Sequence, residues 1–263
     1  MRFLLRTLLL LVTVAMLAPM AASAADNGVG VVLLHGKWVL NRKTLETLSE
    51  ALEEAGYTVA MPDMPWSGFR DYDRSYEDAL TEIDAAVAKL RKDGATRIVV
   101  ADTSMGANAA LAYGARRDGL LAVVAVSPGH IPEAMATNRT TAEGVAHARE
   151  MVGVGLGGQR AWFSDLNQGR IRRIETTAAV YLSYVDPAGL ASMPASAAAL
   201  KAPLLWVVGE DDPIAERGPD FAFAKAPPDP RNLYLTVKAD HFTAPRIAAA
   251  QIVAWLDKVR GGR

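Results

Sequence analysis

The sequence predicts an α/β protein built on a predominantly parallel sheet with helices on both faces. Two observations lead there: short runs of β-favouring apolar residues alternate along the chain with segments of helical periodicity, and the runs are continuously apolar, as strands covered on both faces must be. A third supports them. Each cluster of chemically versatile residues falls just after an apolar run, and in an open parallel sheet the carboxyl ends of the strands are where ligands bind.

Residues 1–24 read as a secretory signal rather than as part of the fold. Arg2 and Arg6 precede an apolar core from Leu8 to Leu17, and Ala22-Ser23-Ala24 has the small-x-small form of a cleavage site. That core is short for a spanning helix and no basic stop follows it, so no stable membrane anchor is expected after cleavage, and the mature chain is expected to be secreted or periplasmic. Residues 25–263 are expected to form one domain. The chain has no cysteine, so neither disulfides nor a lipid on an N-terminal cysteine can contribute, and the fold must rest on its core.

The first strand is predicted over Gly30-Val31-Val32-Leu33-Leu34, ending at His35-Gly36, and residues 42–55 form a helix with Leu45, Leu48 and Leu52 on one side. Tyr57 to Met61 is a second short strand. Ser75 and Asp78 have the spacing of a capping box for a helix whose Leu80, Ile83, Val87 and Leu90 recur at helical period, with Gly94 as its stop. Ile98 to Ala101 is a buried strand, and the small residues around Ser104-Met105-Gly106 turn the chain into a helix that runs to about Arg117. Leu121 to Val126, Leu204 to Val208 and Leu233 to Val237 complete about six strands, and Thr243 to Lys258 closes the chain as an amphipathic helix. Between about residues 131 and 200 the alternation stops, with helical segments expected at Ile174 to Tyr184 and Met193 to Leu200.

With 28 basic against 29 acidic side chains and no long run of either sign, charge suggests neither nucleic acid nor an anionic membrane surface as a partner. Metal and nucleotide sites lack support as well. There is no His-Glu-x-x-His, and Gly153-Val154-Gly155-Leu156-Gly157-Gly158 does not follow a strand. No cofactor is expected. Asn138-Arg139-Thr140 fits a glycosylation acceptor, a match that chance explains.

Ser104 sits where a strand breaks abruptly into a helix, which lifts a serine above a parallel sheet and against the positive end of a helix dipole. A helix N-cap is the alternative use of such a serine. Glu210-Asp211-Asp212 follows the strand at 204–208 and Asp240-His241 follows the strand at 233–237, so the chain order is serine, acid, histidine.

These pieces resemble the α/β-hydrolase-fold serine hydrolases, esterase- and lipase-like, over nearly the whole mature length. Leu33-Leu34-His35-Gly36 matches the oxyanion strand, Ser104-Met105-Gly106 the nucleophile elbow, Gly209-Glu210-Asp211-Asp212-Pro213 the acid turn and Asp240-His241-Phe242 the histidine loop. The family's extra N-terminal strands are missing, which implies a minimal α/β-hydrolase fold. The resemblance implies a secreted carboxylesterase acting on a small-molecule acyl substrate through an acyl-enzyme. Ser104 would be the nucleophile, His241 the base and Asp212 the orienting acid, with Asp211 the near alternative and Glu210 a distant one. Backbone N–H groups of Lys37 and Met105 would form the oxyanion hole. His35 would brace its loop, Trp38 would be either a substrate wall or packing, and His130, beyond a strand in Ser127-Pro128-Gly129-His130, would line the pocket. Residues 131–200 would be a cap over the site, or else helices packed at its edge.

One departure stands out. The family carries Gly or another very small residue two before the nucleophile, where this chain has Asp102, so G-x-S-x-G survives only in its second half. The carboxylate either loosens the elbow or accepts a backbone hydrogen bond near the helix start. Peptidase or amidase action is the enzymatic alternative, and Asp102 prompts the other, a protein of the same fold that binds without turnover.

Overall fold

The computed structural model describes residues 27–262, so the expected signal at 1–24 lies outside the described residues. Six strands form one parallel sheet: β1 (Val29–Leu34), β2 (Thr58–Ala60), β3 (Arg97–Thr103), β4 (Leu120–Val126), β7 (Leu204–Gly209) and β8 (Leu233–Val237), in the order β2-β1-β3-β4-β7-β8. The described residues enter the sheet at β1, step outward to β2, then cross back over β1 to β3 and continue away from it. That reversal opens a crevice at the carboxyl ends of β1 and β3, where Leu34 pairs with Asp102.

Both faces of the sheet are covered, which is why its strands are continuously apolar. Val31, Leu33, Val99 and Ala101 face a core shared with α1 (Lys43–Glu54) and α8 (Ala244–Arg260). Val32, Leu34, Ile98 and Val100 face the opposite core, shared with α2 (Tyr76–Lys92) and α3 (Met105–Arg116). The Ser75–Asp78 capping box is formed in both directions at the start of α2, a contribution of about 1 kcal/mol. Every residue of α3 from Met105 to Ala115 is buried, and its run of Ala and Gly allows that close approach.

Between β4 and β7 lie α4 (Pro132–Thr137), α5 (Ala142–Gly153), β5 (Arg160–Asn167), β6 (Arg170–Thr177), α6 (Ala178–Val185) and α7 (Met193–Ala198). Here the expected pattern needs correction. The helix predicted from Ile174 begins at Ala178, because Arg170–Thr177 pairs antiparallel with Arg160–Asn167 in a hairpin. Its two-residue turn, Gln168-Gly169, has φ of 48° and 75°, the doubly left-handed conformation that matches strand twist.

Candidate active site

Ser104 joins β3 directly to α3 with φ 58° and ψ −120°, a left-handed conformation that non-glycine residues adopt only where surroundings enforce it. Its amide is tied to Val126 O at 3.0 Å, and α3 begins at the next residue. Its hydroxyl makes no capping bond, so the ordinary N-cap alternative is set aside. Ser104 is buried among its neighbours yet lines a cavity of about 70 Å³ together with Gly36, Lys37, Thr44, Asn167 and His241.

His241 follows β8 in a loop shaped by Asp240, whose carboxylate accepts from the Phe242 amide at 3.0 Å and the Thr243 amide at 2.8 Å. Asp212, at the end of the turn after β7, meets the histidine. Its Oδ2 lies 2.8 Å from His241 Nδ1, and its Oδ1 accepts from the Ile214 amide at 3.1 Å. Both oxygens are therefore engaged, and the carboxylate is held in one orientation. Asp211, by contrast, is exposed, as is Glu210. Gly129 backs the imidazole: a Cβ there would lie 2.8 Å from His241 Cε1.

The loop after β1 brings Gly36 against the serine, where an added Cβ would stand 3.2 Å from Ser104 Cβ. His35 braces this loop through three contacts, with Nε2 accepting from the Met64 amide at 2.9 Å, Nδ1 2.9 Å from Gly36 O, and its carbonyl accepting from Trp66 Nε1 at 2.6 Å. Burial lowers the His35 pKa below the ordinary histidine value, consistent with a neutral, structural imidazole. Lys37 follows Gly36 at the cavity wall, and Met105 opens α3, whose first-turn N–H groups have no intrahelical acceptor.

The pattern of the alpha/beta hydrolase family matches residues 31–255. The chain belongs to the alpha/beta hydrolase family. Among solved structures, a monoacylglycerol lipase from Paleococcus ferrophilus is similar with a TM-score of 0.66 at 22% identity, over 90% of this chain and 97% of that one. Est1E from Butyrivibrio proteoclasticus, with ferulic acid bound, gives a TM-score of 0.63 at 19% identity over 88% and 89% of the two chains. The esterase domain of a Rhodothermus marinus protein gives 0.57 at 19% identity, over 90% of each chain. These likenesses establish the fold. No curated protein matches the chain.

Asp102 lies at the elbow, at the end of β3 and against the first turn of α3. Its side chain is fully buried, its Oδ1 accepts from the Thr103 amide, and its Oδ2 has no partner among the described residues. Burial pushes its carboxyl well above the usual carboxylate range. The space it occupies is that above Gly106, where a Cβ would coincide with the Asp102 carboxyl.

Two expected pocket residues lie elsewhere. Trp38 is half-buried against the core and donates its indole N–H to Asp165 Oδ2 at 3.0 Å, which makes it packing rather than a substrate wall. His130 is buried away from the cavity, with Nε2 2.6 Å from Tyr184 O, and burial followed by the charge of Lys37 holds its pKa down to about 3. Its amide donates to Asn108 Oδ1 at 3.2 Å, and Asn108 Nδ2 donates back to His130 O at 2.5 Å, so α3 clamps the loop that backs His241. Sequence reasoning missed Asn108, although a lone amide in an Ala-rich buried helix is a signal. It also missed Asp165 and Asn167, which depend on the unpredicted hairpin.

Proposed function

We propose that the protein is a serine hydrolase that cleaves esters of small acyl groups through Ser104, His241 and Asp212. The observation that carries this is the strained Ser104 at the β3–α3 elbow, sharing one cavity with a histidine whose far side is engaged by a buried carboxylate. His241, donating from Nδ1 to Asp212, presents Nε2 as the base. It accepts the Ser104 proton as Oγ attacks the acyl carbonyl, and the amides of Met105 and Lys37 receive the developing oxyanion. Returning that proton to the leaving alcohol releases it and leaves an acyl-serine. Water, deprotonated by the same imidazole, then attacks the acyl-serine, and as the acid departs His241 returns that proton to Ser104 Oγ.

The cavity beside Ser104, about 70 Å³ and bounded by Val39, Thr44, Phe242 and Pro245, favours a short, uncharged acyl group. Ester chemistry also draws support from the fold relatives, among them a lipase and an esterase domain. Hydrolysis of p-nitrophenyl esters of increasing acyl length tests this: kcat/KM should be highest at acetate or propionate and fall beyond butyrate. A flat profile, or activity on anilides exceeding that on esters, would contradict it. Residues 1–24 support the further proposal that the enzyme works outside the cytoplasm, checked by the N-terminal residue of the exported protein, expected at Ala25.

A further inference from the structure

We propose that Asp165, reaching in from the β5–β6 hairpin, is a positioning residue that fixes the Lys37-Trp38 segment so that the Lys37 amide meets the developing oxyanion. The proposal rests on the serine-hydrolase function given above.

Asp165 is buried, and its two oxygens accept four hydrogen bonds. Oδ1 takes Lys37 Nζ at 2.6 Å and its neighbour's amide, Leu166 N, at 2.9 Å; Oδ2 takes Tyr72 OH at 2.6 Å and Trp38 Nε1 at 3.0 Å. Three of the four donors come from outside the hairpin. Two of those belong to consecutive residues of the loop that follows β1, the loop whose Gly36 touches Ser104.

The backbone there needs such support. Trp38 has φ 57°, a left-handed conformation that is unfavourable for a bulky aromatic residue and persists only when several contacts determine it together. Its amide is held by Trp66 O at 2.9 Å and its indole by Asp165. Lys37 is fixed similarly, since its ammonium also donates to Leu166 O at 3.0 Å. With both side chains pinned to one carboxylate, the peptide between them has little freedom. The hairpin that supplies the carboxylate carries Asn167 to the cavity wall, so the same element borders substrate and steadies the loop.

Stability alone does not call for this arrangement. A buried ion pair loses much of its Coulomb attraction to desolvation, and an apolar pair of similar volume commonly stabilises a fold as well or better. What the charged pair adds is direction, because the donors converge on a single carboxylate from fixed angles.

The test uses p-nitrophenyl acetate and a fluorophosphonate with the wild type, Asp165→Asn, and the paired replacement Lys37→Met/Asp165→Leu, which removes the charges but keeps the core filled. Asp165→Asn and the paired variant are expected to lose about 10–100-fold in kcat with KM within about threefold. Fluorophosphonate labelling should slow by a similar factor, while the paired variant stays folded with a melting temperature lowered only by the Tyr72 and Trp38 donors that lose their acceptor. If Asp165→Asn does not fold, the paired variant decides. A paired variant that retains kcat within about twofold, that loses only in KM, or that itself fails to fold would overturn the positioning role. A wild type inert to both reagents would overturn the hydrolase function along with it.

Discussion

In the proposed reaction Ser104 and His241 act on one proton, so their losses are expected to be non-additive. Ser104→Ala and His241→Ala should each lower kcat on p-nitrophenyl acetate by about 10⁴–10⁶, with the double variant little worse than either. Asp212→Asn should cost about 10²–10⁴ with folding intact, whereas Asp211→Asn, at an exposed site, should stay near wild type; kcat for the two variants checks the assignment. Asp102 behaves differently, because its effect is on stability. Its folded-state pKa is raised by burial, so the unfolded chain gives up the proton first, and stability is full below the ordinary carboxylate range and falls as pH rises toward the raised value. Asp102→Asn removes that loss while keeping an oxygen for the Thr103 amide. It should exceed the wild type in melting temperature at pH 7, with the gap narrowing toward pH 4. A gap that widens on acidification would contradict the raised carboxyl.

The elbow also couples two positions on consecutive elements. Because the Asp102 carboxyl fills the space above Gly106, Gly106→Ala should destabilise the protein by about 2–4 kcal/mol, and Asp102→Gly in the same chain should recover part of it. Recovery should be incomplete, since Leu34 Cβ also stands 2.9 Å from the added methyl; a thermal double-variant cycle reads the coupling. This pairing was only half visible in the sequence, where Asp102 stood out as a departure but the carboxyl's position over Gly106 required coordinates. The β5–β6 hairpin was not visible at all. Its strands carry Arg160, Arg170, Arg172 and Arg173 and bury only alternate positions near their middle, so the apolar signal that marked β1, β3 and β7 is absent. Gln168-Gly169 was the remaining cue, a weak form of the Asn-Gly hairpin turn. Strands buried on both faces announce themselves by hydrophobicity, whereas a hairpin that sends only Phe163, Ile174 and a few polar groups into the core does not.

Across the whole molecule, the order of the sheet explains why residues far apart in sequence meet. Crossing back from β2 over β1 to β3 sets Gly36 beside Ser104, and β7 and β8 deliver Asp212 and His241 from the far side of β4. The parallel sheet and the placement of these groups after its strands followed from the alternation of apolar runs and helices, whereas the strand order that brings them together came with the coordinates. The expectation that His130 lines the pocket, and the substrate-wall reading of Trp38, came from judging distance to the site by distance from a strand end. Both residues do follow strands, but one turns into the loop clasp and the other under the clamp of Asn108. The central claim, that this assembly makes Ser104 a nucleophile, is tested most directly by treating the folded protein with a fluorophosphonate and locating the adduct by peptide mass. The expected result is a single adduct on Ser104 in the wild type, absent in Ser104→Ala and strongly slowed in His241→Ala. A folded wild type that takes no label, or a label that persists in Ser104→Ala, would contradict it.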